Sequence, residues 1–309
     1  MTGFEIKAND NSECCFQQFL YNTTPHLSFQ PSDELYNLSL IDKHTGLCSA
    51  RIHFFAEDSI AYSSYKAPFG SVEFASDLKE KWLFQFINEI ETYCRQLNLQ
   101  EIQVTSYPFC YNPLHSQLLF NGFIQAGYQV NFMDLNFHLD PKVDFSEHIH
   151  SSAKRRWKKC KQKGYKFEML TGESLKPVYD LYVKSRSFTG IPVTMSYEKL
   201  KMYFEAFPDQ YHIFAIQDGS NTIAASICIN PSKAILYNFL PFDDPAYRHD
   251  SPMILLIGEI VEYCRNNNIS LFDLGTASIQ GKPQSSLMRF KQNLGAKLSP
   301  KPQFKKVLL

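Results

Sequence analysis

Mixed α/β layers built as two similar halves are the fold class this sequence predicts, on three observations. Strand-like runs alternate with amphipathic helical stretches, the pattern that layered α/β and α+β architectures require. The order strand, strand, helix, strand, short helix, strand occurs twice. Letters recur with the order: TYCRQLNLQEIQVTS at 92–106 parallels EYCRNNNISLFDLGT at 262–276, an offset of 170 residues. Pro68-Phe69 likewise parallels Pro241-Phe242, and matched order with matched letters indicates duplication.

The elements follow in chain order. Runs at 46–55 and 59–65 carry strand composition. Between 78 and 97 the apolar residues Leu78, Trp82, Phe86, Ile90, Tyr93 and Leu97 recur every three or four positions, one buried face of a helix, and Asp77 with Glu80 spells a capping box at its start. EIQVTS at 101–106 and the segment 127–137 read as strands. The second half repeats this with HIFAIQ (212–217), IAASICI (223–229), AILYNFL (234–240), a helix at 252–267 that is apolar on most sides, LFDLG (271–275), a helix near 284–294 and a strand from 296. Between the halves lies a dense basic helix, 151–164. These readings place a boundary near 140, with one domain at 1–140 and a second, including the basic helix, at 141–309.

The 309 residues carry 31 Lys and Arg against 31 Asp and Glu, so no global charge draws the chain to DNA or an anionic membrane, and any basic site is local. With 44% apolar residues and 15% aromatics the chain is folded, not disordered. The apolar run from Met253 is closed by Glu259, far short of the roughly 20 residues of a membrane helix. The first residues lack the basic and apolar regions of a secretory signal, so the expected compartment is the cytoplasm. The eight cysteines form no CxxC pair and sit mostly in apolar periodic segments, which reads as reduced and structural, and no metal-ligand spacing is present.

Four places could carry chemistry. The basic helix concentrates Lys154, Arg155, Arg156, Lys158, Lys159, Lys161 and Lys163 around a narrow apolar stripe of Ile149, Ala153, Trp157 and Cys160. It is either a solvated connector or a polyanion site, with Arg155, Arg156 and Lys159 as the phosphate-binding candidates. At the start of the 252–267 helix, Ser251 is an N-cap candidate ahead of Pro252, and free N–H groups helped by Arg248 and His249 could hold a phosphate, while Asp250 opposes an anion there. Asp273 ends a strand, where ligands gather in open sheets, and is a candidate base or amine anchor, or else a loop anchor. On the 284–294 helix Leu287, Phe290 and Leu294 define the buried face, and Lys291 falls about 40° from Leu287 at 100° per residue, so it faces inward. Its ammonium either snorkels out or points into a cleft.

Taken together, AKRRWKKCKQKG, LPFDDPAYRHDSPMILL, FDLG and LMRFKQNLGA resemble the FemAB-like branch of the GCN5-related N-acetyltransferase (GNAT) superfamily, whose pattern includes a basic RR-x-x-(R/K)-K helix and a terminal RFK helix. The resemblance covers most of the chain and implies two tandem GNAT-like domains. It implies an acyltransferase that moves an acyl or aminoacyl group from acyl-CoA or aminoacyl-tRNA to a small-molecule or peptide amine, with Lys291 stabilising charge on the reacting group. Arg248, His249 and Ser251 would then be the donor-binding residues. Peripheral membrane contact stays open as an alternative use of the basic helix. Two departures stand out: Arg248-His-Asp-Ser-Pro lacks the glycines of the superfamily's pyrophosphate loop, and Met288 replaces the family tyrosine two residues before the Phe-Lys pair. A non-catalytic binding module for a nucleotide, lipid or RNA phosphate is the alternative reading.

Overall fold

The computed structural model describes residues 3–30 and 34–308. Two compact units emerge. One comprises the chain up to Leu135 with Ser278–Pro283 and the residues from Ser299 onward; the other comprises Asn136–Ala277 and Gln284–Leu298.

In the first unit the strands Phe4–Ala8, Leu35–Asp42, Cys48–Glu57, Ile60–Tyr62 and Glu101–Thr105 lie side by side in that order. Every neighbour pair is antiparallel except the last, where Ile60–Tyr62 runs parallel to Glu101–Gln103. A parallel pair needs a crossover connection, and the helix Glu80–Gln96 supplies it. In the second unit Lys166–Leu170, Tyr211–Asp218, Asn221–Ser232, Ile235–Asp243 and Leu271–Thr276 repeat the order, again with only the last pair, Ile235–Tyr237 against Leu271–Asp273, parallel. The helix Pro252–Asn266 is the equivalent crossover. The duplication read from letters at an offset of 170 is therefore also a duplication of topology.

A single cut near 140 does not describe how the units close. The parallel strand of the first unit takes as its next neighbour Gln303–Val307, from the end of the chain, while that of the second takes Asn136–Leu139, from the end of the first half. Each unit is completed by a strand from the other half of the sequence.

Several local expectations shift. The capping box at Asp77 does not form, because the helix begins at Glu80 after Lys79, which makes no side-chain cap. Its buried face is Leu83, Phe86, Ile87, Ile90, Tyr93 and Cys94, so Trp82 is rotated off the stripe and packs on Phe4 with ring centroids 5.3 Å apart. The helices Leu175–Thr189 and Tyr197–Ala206 complete the second unit beyond the elements read from periodicity. The helix Pro252–Asn266 buries Ile254, Leu255, Leu256, Ile257, Ile260 and Val261, each such side chain contributing about 1.5–3 kcal/mol on leaving water. The helix Ser151–Lys161 packs on it through Ala153 and Cys160. Gly258 permits the approach, since a Cβ there would stand 2.8 Å from Trp157 Nε1 and 2.9 Å from the Phe145 ring.

Candidate functional site

Everything that shapes the candidate site belongs to the second unit. The strand Leu271–Thr276 departs from regular register between Asp273 and Gly275. Gly275 turns there at φ +76°, and a Cβ at that position would lie 3.2 Å from the Tyr237 ring, so backbone conformation and space both require glycine. Asp273 holds this turn. Its Oδ1 accepts the Gly275 N–H at 2.7 Å and the Asn136 Nδ2–H at 2.8 Å, and the residue is 2% exposed. The two carbonyls that follow, Gly275 and Thr276, are thereby aimed at one point.

That point is Lys291. Its Nζ donates to Gly275 O at 2.9 Å and Thr276 O at 2.8 Å, leaving one N–H donor. Lys291 is the buried residue of the helix Ser285–Asn293, at 6% exposure, while Leu287 and Phe290 beside it are only half-buried because they wall an open cleft. Burial brings the ammonium down to about 8, with the Asp273 charge partly opposing the fall. The inward orientation expected from helical spacing is thus what the fold provides, and the side chain does not snorkel.

The cleft measures about 430 Å³. Tyr237, Gly275, Thr276 and Lys291 meet on its polar side, with Leu287, Phe290 and Met253 on its apolar side. Tyr237 is the residue that reading the sequence missed. Burial and the nearby Asp273 charge push its phenol above the ordinary range, so it remains a proton donor. The only signal in AILYNFL was a hydroxyl-bearing aromatic within an otherwise apolar strand. Register puts Tyr237 directly beside Asp273.

Arg186 and Arg248 line the same cleft. Arg248 is engaged: its Nε donates to Asp243 at 2.9 Å, and its guanidinium lies 5.1 Å from the Phe188 ring centroid. Arg186 lies over the Tyr182 ring at 5.2 Å and makes no ion pair among the described residues.

His249 and Ser251 are placed elsewhere. The His249 side chain is 71% exposed and 3.4 Å from Asp250. Ser251 adopts a left-handed conformation at φ +62° and makes no side-chain cap. Asp250 does not cap either. Its Oδ2 accepts the Tyr165 hydroxyl at 2.8 Å, and Lys163 pairs with Oδ1 at 3.3 Å, tying the end of the basic helix to the start of the apolar one. A pyrophosphate does not fit here: Asp250, two residues before the helix, is a buried carboxylate, the first helical residue is a proline without an N–H, and no glycine opens the backbone. On the basic helix Lys161 pairs with Glu259 at 3.3 Å, whereas Arg155, Arg156, Lys158 and Lys159 are exposed and form no ion pair among the described residues.

Comparisons with known proteins bear on the domain and the fold. The sequence profile of the acetyltransferase (GNAT) domain family matches residues 148–292. Residues 148–292 form a GNAT domain. The cleft-lining lysine and the Asp273 turn both lie inside it. The fold of the whole chain is similar to that of FemX, with a TM-score of 0.71 at 10% identity over 94% of this chain and 92% of that one. L-PGS from Bacillus licheniformis is similar at a TM-score of 0.57, 11% identity and 83% and 80% coverage. A tandem GNAT protein from the clavulanic acid biosynthesis pathway follows at 0.52, 10% identity and 92% and 86% coverage. The fold of the chain is therefore that of the FemAB-like GNAT branch, with the GNAT domain in its second half. No curated protein sequence matches the chain.

Proposed function

We propose that the chain transfers an acyl or aminoacyl group from an ester-linked donor, aminoacyl-tRNA being favoured, to a small-molecule or peptide amine bound in the cleft of the second unit. The observation that carries this reading is the Lys291 ammonium, buried yet held at the cleft by the Gly275 and Thr276 carbonyls with one N–H to spare. An unprotonated amine attacks the ester carbonyl and the oxygen that gains negative charge accepts a hydrogen bond from the remaining Lys291 N–H; the ester C–O bond then breaks, the departing alkoxide takes the Tyr237 hydroxyl proton, and the proton shed by the attacking nitrogen restores the Tyr237 phenol. A preorganised donor of this kind lowers a barrier by about 3–4 kcal/mol. Asp273 acts as a positioning residue, since it reaches the reaction only through the turn that aims the two carbonyls.

A tRNA donor is favoured over acyl-CoA by the buried Asp250 carboxylate where a pyrophosphate would have to sit, and by the exposed cations Arg155, Arg156, Lys158 and Lys159. Arg186, lacking an ion-pair partner among the described residues, is offered to an anionic group of donor or acceptor. The test supplies total aminoacyl-tRNA carrying labelled amino acids, or labelled acetyl-CoA, with a panel of amine acceptors. Transfer from the charged tRNA that drops about a hundredfold in Lys291→Met supports the reading. Transfer from acetyl-CoA alone would move the donor assignment. Binding of RNA without turnover in either form would make the chain a binding module in which Lys291 merely pins the turn.

A further inference from the structure

The first unit contains a thiol pair that the transfer reaction does not use. Cys14 and Cys48 are backbone partners in an isolated parallel bridge, fixed by Cys48 N–H to Glu13 O at 2.8 Å and Cys15 N–H to Cys48 O at 2.9 Å. Parallel bridge partners have Cα atoms about 4.8 Å apart with side chains on one face, inside the roughly 4.4–6.8 Å that a disulfide spans. The two thiols feel each other electrostatically, each shifting the other's ionisation. Cys48 also donates to Ala50 O at 3.2 Å, and the neighbouring Cys15 points elsewhere, toward Ser49 Oγ at 3.8 Å.

The surroundings suit a reactive pair rather than two inert core thiols. Arg51 lies beside both sulfurs and is itself anchored, with Nε donating to Ser39 Oγ at 2.8 Å and Nη2 to Ser12 O at 2.7 Å. Its charge favours a thiolate on the pair: the coupling with Cys14 brings Cys48 down to about 7, while the same coupling and burial raise Cys14. The other charged groups nearby are Glu73, which opposes ionisation of Cys14, and Asp10, 3.7 Å from Arg51. Cys48 is fully buried while Cys14 is half-buried, so a small oxidant reaches one sulfur and the other waits behind it.

We propose that Cys14 and Cys48 are a redox-modification site, closing to a disulfide under peroxide and reopening with a thiol reductant. The pair's one remaining proton moves from Cys14 to Cys48, whose Sγ is placed to donate to Ala50 O, and the Cys14 thiolate attacks the peroxide oxygen. The O–O bond breaks, one water leaves, and Cys14 becomes a sulfenic acid. The Cys48 thiolate, its proton gone into the first water, then displaces the sulfenic oxygen and forms the S–S bond; the leaving hydroxide takes back from solvent the proton the pair had shed and departs as a second water, so two thiols are oxidised while one peroxide is reduced to two waters. The product staples the segment around residues 10–15, already lying along the strand Cys48–Glu57, and closes a loop through Leu35–Asp42.

The test treats the full chain with stoichiometric hydrogen peroxide and counts thiols after denaturation. The expected result is a fall from eight thiols to six, a mass about 2 Da lower, a cross-linked peptide joining residues 14 and 48, and reversal by dithiothreitol. Melting should shift up by several degrees in the oxidised form. Cys15→Ser should behave as the wild type, and Cys14→Ser should lose the 2 Da change. Cys48→Ser serves as a second control if it folds, but Cys14→Ser, at the less buried position, suffices without it. A cross-link through Cys15, an unchanged thiol count, or oxidation that stops at sulfinic acid would each overturn the proposal.

Discussion

Lys291 and Glu73 are buried residues that titrate near 8 in the folded state. Lys291 loses its proton near 8 in the folded state against 10.5 when unfolded, so the cost of burying its ammonium is fully present below about 8 and stability recovers as pH rises from 8 toward 10.5. If the ammonium is the reactive species, turnover should decline as pH passes about 8, after an initial rise as the acceptor amine deprotonates. Lys291→Arg, whose guanidinium keeps its charge, should move that decline upward; a decline that stays in place assigns it to another group. Glu73 shows the opposite sign. It is buried with no ion pair among the described residues, only the Phe19 N–H at 2.9 Å and the Asn22 side chain offsetting desolvation, and is pushed up to about 8 from 4.5. The folded state therefore holds a proton that the unfolded chain releases between about 4.5 and 8. The contribution of Glu73 to stability should fall through that window by a few kcal/mol and level off above it, opposed up to about 6.5 by His53, which burial lowers to about 3 and so keeps neutral in the fold. Glu73→Gln should flatten the melting-temperature profile between pH 5 and 8, and an equally steep profile in the variant would place the dependence elsewhere.

Among the elements, the basic helix Ser151–Lys161 divides its work between two faces. Ala153, Cys160 and the half-buried Trp157 pack it on the apolar helix, and Lys161 and Lys163 are committed to Glu259 and Asp250. The remaining cations serve neither packing nor pairing. Changing Arg155, Arg156 and Lys159 to Glu should therefore weaken RNA binding by an order of magnitude or more and flatten its salt dependence, while leaving melting nearly unchanged, since exposed surface charges contribute about 0–1 kcal/mol each. Filter binding across a salt titration, with a melt of each variant, decides it. Equal affinity and slope would leave the helix as a connector.

For the whole molecule the exchange of closing strands makes each unit depend on distant sequence. Phe304, fully buried, packs on Phe120 and Phe123, and Gln303–Val307 pairs with Glu101–Thr105. Ending the chain at Leu298 removes both the pairing and the Phe304 ring. Such a truncation should expose the amides of Glu101–Thr105 to rapid hydrogen exchange and cost several kcal/mol, Phe removal alone being worth about 3–5 kcal/mol. Retained protection at those amides would show that the first unit closes without the C-terminal strand.

Local and periodic information lies in the sequence itself, and it was enough to establish the doubled order of strands and helices, the buried helix at 252–266, the two-faced basic helix and the inward bearing of Lys291. Helical spacing decides which face a side chain shares, whatever the tertiary context. On Glu80–Gln96 the expected stripe holds at Phe86, Ile90 and Tyr93, but Trp82 is off it and Leu83, Ile87 and Cys94 join it, because the width of the buried face depends on how the helix sits on its own sheet. The site needed three dimensions. Asp273 was legible as a carboxylate at a strand end, but only the fold shows it holding the turn at Gly275 rather than standing open to a substrate. Tyr237 reaches the cleft through its parallel register with Asp273, and no local pattern encodes a partner 36 residues away. Ser251 reads as a cap by residue type, yet its left-handed backbone makes no side-chain cap, and only the fold shows Asp250 held by Tyr165 and Lys163. The exchanged strands and the Cys14–Cys48 pairing belong to the tertiary structure for the same reason: both join segments whose letters carry no mark of each other.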